Sequence, residues 1–88
     1  KEKKTTKNIF KDTGNNSSKL ILHNDNYNRF DYVVFTLMEE CNYDREQAEQ
    51  CTLIAHLKGK CVIKTGNLKE LKLISRRLSI KGLNTTIE

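Results

Sequence analysis

The sequence predicts an α+β fold in which a three-stranded antiparallel sheet packs against three helices, in the order β-α-α-β-α-β. Short apolar runs suited to strands alternate with longer segments whose apolar residues recur at helical spacing. Turns that contain Asn or Gly separate these segments. The 88 residues are too few for a doubly wound parallel sheet, so we expect a small sheet with one face buried under the helices.

The first half of the predicted domain contains one strand and one helix. Residues 19–23 form an apolar run that stops at the turn-forming residues 24–26. Asn28 then occupies the position of a helix N-cap, and Asp31 places a negative charge in the first turn. An apolar stripe at helical spacing predicts that this helix continues to Cys41. The stripe consists of Phe30, Val33, Val34, Leu37, Met38 and Cys41.

The second half contains two helices and two strands. Residues 44–47 resemble a capping box that opens a helix, and Gly59 is placed to end it. Residues 60–64 are expected to form a strand, and a third helix is expected to end at Gly82. Residues 83–88 are expected to form the last strand. The second helix is expected to turn Ala48, Cys51, Thr52 and Ala55 inward, with Ile54 and Leu57 beside them. The third carries its apolar residues at Leu68, Leu71, Ile74 and Leu78.

The positive charge is concentrated at the N-terminus. Residues 1–18 contain five Lys against Glu2 and Asp12, a net charge of +3, whereas residues 19–88 carry +2 of the total +5. The first segment is rich in Lys, Thr, Asn and Ser, which predicts a flexible N-terminal extension preceding a folded domain over residues 19–88. It has no apolar core of a secretory signal, and no stretch of the chain is long and apolar enough to span a membrane.

The sequence lacks the usual signatures of enzymes and metal sites. There is no Gly-rich phosphate loop, no serine elbow motif and no His or Cys cluster at metal-ligand spacing. Cys41, Cys51 and Cys61 are evenly spaced and odd in number, which predicts three small buried side chains in a reducing compartment. We therefore expect neither catalysis nor a cofactor or metal.

A polar cluster at an element boundary remains as a candidate binding site. Asn24 and Asp25 follow the first strand, and His56 lies near the end of the second helix beside the small residues Thr52 and Ala55. On spacing alone, such a pair is more often an ordinary turn than a binding site, and a residue such as His56 is more often an ordinary surface histidine.

Three segments in this order resemble ClpS, the adaptor of Clp-family ATP-dependent proteases. They are LILHNDNYNRFDYVV at 20–34, DREQAEQ at 44–50 and HLKGKC at 56–61. The resemblance covers residues 19–88, and its signature is the Asn-Asp turn combined with His-x-x-Gly-Lys. It implies a β-α-α-β-α-β fold and an adaptor that binds proteins with a bulky N-terminal residue (Phe, Leu, Trp or Tyr) and delivers them to a Clp AAA+ unfoldase.

The resemblance also implies which residues bind. Asn24, Asp25 and His56 match the positions that hold the substrate's α-amino group, where Asp25 supplies the counter-charge and a neutral His56 accepts a hydrogen bond. An apolar pocket for the first side chain is implied for Asn28, Phe30, Val33, Thr52, Ala55 and Leu83. The implied partners are the N-terminal domain of the unfoldase and substrate proteins, with no role for nucleic acid or a membrane. The implied location is the bacterial cytoplasm, or an organelle of bacterial origin for a longer precursor.

The sequence departs from the family's pattern at several positions. Asn26 replaces a common Asp, and Arg29 stands where Pro or Thr is frequent. Phe30 and Thr52 occupy positions that Met often holds, so a rigid ring and a hydroxyl replace two adaptable side chains. We expect Phe30 to restrict β-branched residues at the entrance and Thr52 to help accommodate Tyr. Residues 64–72 are shorter than the corresponding segment of well-known members.

Two other classes of protein remain as alternatives. The main one is a small nucleic-acid-binding module, although no aromatic residue interrupts its basic run to stack on bases. That run contains Lys58, Lys60, Lys64, Lys69, Lys72, Arg76, Arg77 and Lys81, with Glu70 as its single acid. The other is a fragment of a eukaryotic ubiquitin ligase, which would be expected to carry flanking zinc motifs.

Overall fold

The computed structural model describes residues 17–88 and confirms the predicted order of elements. The elements are strand β1 (Ser18–His23), helix α1 (Phe30–Cys41), helix α2 (Arg45–Lys58), strand β2 (Lys60–Gly66), helix α3 (Leu68–Ile80) and strand β3 (Thr85–Ile87). Strand β1 therefore begins at the last residue of the predicted N-terminal extension. Residues 1–16 of that extension lie outside the described residues.

The sheet has β1 at its centre, with β2 and β3 both antiparallel to it. The pairing of β1 with β2 skips Ile63, which makes a bulge in β2. The hydroxyl of Tyr43, which precedes α2, donates a hydrogen bond to the Ile63 carbonyl at this bulge. Burial, and secondarily the neighbouring thiols, raise the pKa of Tyr43 to about 12. The Tyr43 contact thus ties the connection between α1 and α2 to an irregular point of the sheet.

The core lies between β1 and the three helices. Leu20 and Leu22 alternate toward the helices, as the period of a strand requires, and are at most 3% exposed. They pack with apolar side chains from every helix and from β2, and burying each large aliphatic side chain contributes about 1.5–3 kcal/mol. The buried partners include Val34, Leu37, Ala48, Cys51, Ile63, Leu71, Ile74 and Leu78.

Four positions of the predicted apolar faces are wrong. Ile54 and Leu57 on α2 and Leu68 at the start of α3 are exposed, as is Phe30 at the start of α1, which was placed in the apolar stripe. Helix α2 faces the core through one stripe of small residues, which are Ala48, Cys51, Thr52 and Ala55. The positions beside this stripe therefore face solvent.

Side-chain caps define the starts of α2 and α3. The predicted capping box is present, since Asp44 Oδ1 accepts from Gln47 N at 2.8 Å and Gln47 Oε1 accepts from Asp44 N at 3.3 Å. Asn67 caps α3 in the same way by accepting from the Glu70 amide at 2.8 Å.

The N-cap predicted at Asn28 is wrong by one residue. Arg29 occupies that position in an extended conformation, and its side chain makes no capping hydrogen bond. The Asn28 side chain is instead committed to Asp25 and to the carbonyl of Gly82. The Asn28 side chain therefore stabilises the turn before α1 and does not cap the helix.

Two glycines with positive φ bring distant chain segments to this turn. Gly59 ends α2 at φ +94°, and its carbonyl accepts a hydrogen bond from Asn24 N at 2.9 Å. Gly82 follows α3 at φ +90°, and its carbonyl accepts from Asn28 at 3.0 Å. Residues other than Gly rarely adopt such φ values. These two turns therefore fix the ends of α2 and α3 beside residues 24–28.

Candidate functional site

The structure brings all nine residues of the predicted site to one cavity of about 340 Å³. This volume lies within the range of about 300–1,000 Å³ that is typical of pockets for small ligands. The predicted residues in its lining are Asn24, Asp25, Asn28, Phe30, Val33, Thr52, Ala55, His56 and Leu83. Leu22, His23 and Asn26 complete the lining.

Asp25 is held by hydrogen bonds from the turn that it begins. Its Oδ1 accepts from the amides of Tyr27 and Asn28, both at 2.9 Å, and its Oδ2 accepts from Asn28 Nδ2 at 2.9 Å. Partial burial works to raise the pKa of the Asp25 carboxyl, but these hydrogen bonds outweigh it and hold the pKa below its ordinary value. The site therefore contains a fixed, ionised carboxylate with lone pairs left for a further donor.

Asn24 and His56 present polar atoms that the described protein does not use. The backbone of Asn24 is fixed by its bond to Gly59, but its side-chain amide has no hydrogen-bond partner among residues 17–88. The His56 ring, exposed on the last turn of α2, likewise has none in that range. Two acceptors of different chemistry thus face the same cavity as the Asp25 carboxylate.

The opposite side of the cavity is apolar and rigidly placed. Val33 comes from α1, Thr52 and Ala55 come from α2, and Leu83 follows α3; all four are at most 9% exposed. The Thr52 hydroxyl donates to the Ala48 carbonyl at 2.7 Å, so its donor is satisfied within α2 and only its lone pairs remain available. Phe30 lies at the rim, where 44% of it is exposed.

Asn28 connects the two sides. One amide nitrogen donates both to Asp25 Oδ2 and to the Gly82 carbonyl, immediately before the apolar residue Leu83. The side-chain N–H groups of Asn28 are therefore used in protein contacts, although the residue does line the cavity.

Sequence reasoning missed Leu22, His23 and Asn26 as lining residues. Strand alternation contains a signal for Leu22, because it shares the inward face of Leu20. His23 turns to the sheet, where its ring contacts the Thr86 hydroxyl at 2.6 Å. That contact joins residues 63 positions apart, and no local pattern predicts it.

The cysteines and the basic run differ from their predicted arrangement. Only Cys51 is fully buried, whereas Cys41 and Cys61 are partly exposed. Burial raises the pKa of the Cys41 and Cys51 thiols, which makes both less reactive. No group of three potential metal ligands occurs within residues 17–88. Half of the basic run is neutralised by ion pairs with acids, through Lys60–Glu88, Lys64–Glu70, Arg77–Glu40 and Lys81–Glu39.

Comparison with known proteins identifies the family. The family model described as "ATP-dependent Clp protease adaptor protein ClpS" matches residues 14–83. The chain belongs to the ClpS family. Its curated relatives include the ATP-dependent Clp protease adapter protein ClpS of Serratia proteamaculans, 36% identical over 64% of this chain and 55% of that protein. Another is that of Synechococcus elongatus, 30% identical over 80% of this chain and 75% of its relative.

The match confirms the resemblance recognised from the Asn-Asp turn and the His-x-x-Gly-Lys segment. The ClpS adaptor of Streptomyces coelicolor is more distant, at 26% identity over 77% of this chain and 71% of its own length. The matching proteins are named as adapters of the ATP-dependent Clp protease, and the chain spans 55% of the length of the Serratia protein. Among the described residues, no helix is long and apolar enough to cross a lipid bilayer.

Proposed function

We propose that this ClpS chain binds proteins that begin with a bulky hydrophobic residue (Phe, Leu, Trp or Tyr) and delivers them to a Clp AAA+ unfoldase for degradation. The observation that supports this proposal best is the composition of a single cavity. A fixed carboxylate and two unused acceptors lie on one side of it, and four buried, mainly apolar side chains lie on the other. A free N-terminal residue has this same combination of a cation and an adjacent side chain.

The α-amino group is assigned to Asn24, Asp25 and His56. An ammonium group that leaves water needs acceptors and a counter-charge, and the Asp25 carboxylate provides the charge. The Asn24 side-chain carbonyl and a neutral ring nitrogen of His56 accept the remaining N–H groups. These three residues come from the end of β1 and the end of α2, which Gly59 holds together through its bond to Asn24.

The first side chain of the substrate is assigned to the apolar side, with Val33, Thr52, Ala55 and Leu83 as its walls. Burying a Leu or Phe side chain contributes about 1.5–3 kcal/mol, which corresponds to a preference of about 10- to 150-fold over a small residue. Phe30 at the rim and Asn28 between the two sides complete the assigned pocket.

Delivery is assigned to the N-terminal domain of a Clp AAA+ unfoldase in the bacterial cytoplasm. The relatives are named as adapters of the ATP-dependent Clp protease, which supports this partner. We assign residues 1–16 to the transfer step rather than to capture. Deleting them is expected to slow degradation by the unfoldase and its peptidase without changing peptide affinity, and a loss of affinity would contradict this division.

Fluorescence anisotropy with labelled peptides tests the proposal. The peptides differ only in their first residue, which is Phe, Leu, Trp, Tyr, Ile or Ala, and an acetylated Phe peptide serves as the control. We expect the four bulky free-amine peptides to bind, the Ala peptide to bind at least tenfold more weakly, and the acetylated peptide not to bind. Equal binding of the free and acetylated Phe peptides would refute the proposal.

A further inference from the structure

A second concave surface lies between helix α3 and strand β3, and we call it the α3–β3 groove. Its volume is about 480 Å³, and it shares no residue with the cavity described above. It is lined by Lys72, Ser75, Arg76, Ser79, Ile80 and Ile87. The proposed capture of N-terminal residues leaves this groove unexplained.

The cations of the groove are unpaired. Lys72 and Arg76, one helical turn apart on α3, have no acidic partner among residues 17–88. The lysines at the opposite edge of the sheet are different, because Lys60 pairs with Glu88 and Lys64 pairs with Glu70. The two charges of the groove are therefore available to an acidic partner.

One wall of the groove is a free strand edge. Within the described part of the chain, β3 pairs only with β1. Lys19 and Glu88 exchange both backbone hydrogen bonds, at 2.8 and 2.9 Å, and His23 N donates to the Asn84 carbonyl at 2.9 Å. Because directions alternate along a strand, the N–H and C=O groups of Thr85 and Ile87 point away from β1. These four groups form a template for one further strand.

The groove also exposes apolar surface beside its charges. Ile80, at the end of α3, is 77% exposed, and Ile87 on β3 is only partly buried. A polypeptide strand that lies here would place every second side chain toward α3, where both the cations and these isoleucines are. An extended segment with acidic and aliphatic residues at alternating positions therefore fits all three features.

We infer that the α3–β3 groove binds an extended acidic segment of a partner protein, which adds a strand to β3 and places its carboxylates on Lys72 and Arg76. Strand addition draws affinity from main-chain hydrogen bonds and specificity from alternate side chains. A nucleic acid fits less well, since it cannot satisfy the alternating donors and acceptors of Thr85 and Ile87. In addition, no aromatic residue from the described range 17–88 lines the groove to stack on bases.

An acetylated and amidated probe peptide, Thr-Glu-Thr-Val-Thr-Glu-Thr, tests this inference with the full chain. Its blocked N-terminus prevents capture through an α-amino group, so the result is independent of the proposed function. We expect saturable binding and amide shifts in NMR spectra at Thr85 and Ile87 rather than at Asn24 or His56. The matched peptide with both Glu replaced by Gln is expected to bind about tenfold more weakly, and equal binding of the two peptides would contradict the role of charge.

Two variants separate the charges from the strand edge. Reversing both cations in Lys72→Glu/Arg76→Glu should weaken binding of the probe at least tenfold, whereas the equal charge change in Lys58→Glu/Arg45→Glu should have less than a twofold effect. Ile87→Pro removes an outward N–H that β1 does not use, a substitution that edge strands tolerate, and should also weaken binding at least tenfold. Circular dichroism checks that all three variants fold.

Two other results would overturn the inference. If Ile87→Pro leaves probe binding unchanged while a single-stranded oligonucleotide binds in a Lys72- and Arg76-dependent manner, the groove is a nucleic-acid surface. If sedimentation shows a dimer that Ile87→Pro dissociates, the edge pairs two copies of this chain instead.

Discussion

The two sides of the cavity are built differently. The polar side rests on the turn at residues 24–28, whose shape depends on a few hydrogen bonds centred on Asp25. The apolar side is formed by helices and a buried leucine, where many weak van der Waals contacts together hold the side chains in place. A single substitution on the polar side should therefore have a large effect on binding, because it removes a charge. Substitutions on the apolar side should change binding by smaller amounts that depend on the size of the side chain.

Asp25→Asn is the sharpest test of this difference. The substitution keeps the size and two polar atoms but removes the charge, which leaves a bound α-amino group without its counter-ion. Truncating one partner of a buried charged pair costs about 2–5 kcal/mol, so we expect the affinity for an N-terminal Phe peptide to fall about 30-fold or more. Anisotropy titration measures the change.

Asp31→Asn is the matched control for that variant. It also removes one carboxylate near the start of α1, but Asp31 is exposed, pairs with Arg29 at 3.4 Å and does not line the cavity. The affinity of this variant for the N-terminal Phe peptide should stay within twofold of the wild-type affinity. If Asp25→Asn behaves like this control, the amine is not held by Asp25.

The fold was largely predictable because its signals are local. The capping box at Asp44 and the glycine at position 59 define α2 from neighbouring residues alone, and the apolar stripe of α1 defines that helix. Exposure of Ile54 and Leu57 was not predictable, since it depends on which face of α2 meets α1 and β2. The true N-cap, Arg29, was hidden because Asn28 bonds to a loop 54 positions away.

The grouping of these residues around one cavity was predictable only with the family pattern. The sequence places Asn24 and Asp25 in a turn, but nothing local indicates that His56 ends its helix beside them. The backbone bond from Asn24 to Gly59 creates this proximity, and it joins residues that are distant in sequence. The unsatisfied amide of Asn24 and the bridging role of Asn28 likewise become visible only once the chain has folded.

On the apolar side, Phe30→Met should relax the choice between N-terminal side chains. The rigid ring at the rim is expected to disfavour β-branched Ile relative to Leu by about 1 kcal/mol, about fivefold, and flexible Met should remove most of this difference. Phe35→Met is the control, because Phe35 is 57% exposed on the same helix and lies outside the cavity. Equal affinity of the wild type for Ile and Leu peptides would show that Phe30 does not select.

Asn26→Asp should strengthen the polar side by adding a carboxylate to the lining. Asn26 is exposed, so the added attraction for an α-amino group should be about 0.5 kcal/mol, a gain of about twofold. High salt should abolish the gain, because solvent-exposed charges are screened. An equal gain for an acetylated peptide would indicate a cause other than attraction of the amine.

Asn28→Ala tests how the turn keeps Asp25 ionised. Losing the Asn28 amide removes one of the hydrogen bonds that lower the pKa of the Asp25 carboxyl, so that pKa should rise in a carboxyl NMR titration. A lowered folded-state pKa adds stability that is present above the unfolded-state pKa and is lost as the pH falls through the folded-state pKa. The variant should therefore lose less of its unfolding free energy on acidification than the wild type does.

Tyr32→Phe separates this effect from a general weakening of the neighbouring loop. It removes the hydrogen bond from the Tyr32 hydroxyl to the Lys81 carbonyl, at 2.6 Å, beside the Gly82 carbonyl that Asn28 also contacts, and it leaves Asp25 untouched. We expect Tyr32→Phe to lower the unfolding free energy by about 1 kcal/mol at every pH, without moving the pKa of Asp25. The unfolding free energies of both variants could instead show the same pH dependence as that of the wild type. The low pKa of Asp25 would then arise from the backbone amides of the turn alone, and the Asn28 side chain would couple the two sides of the cavity only weakly.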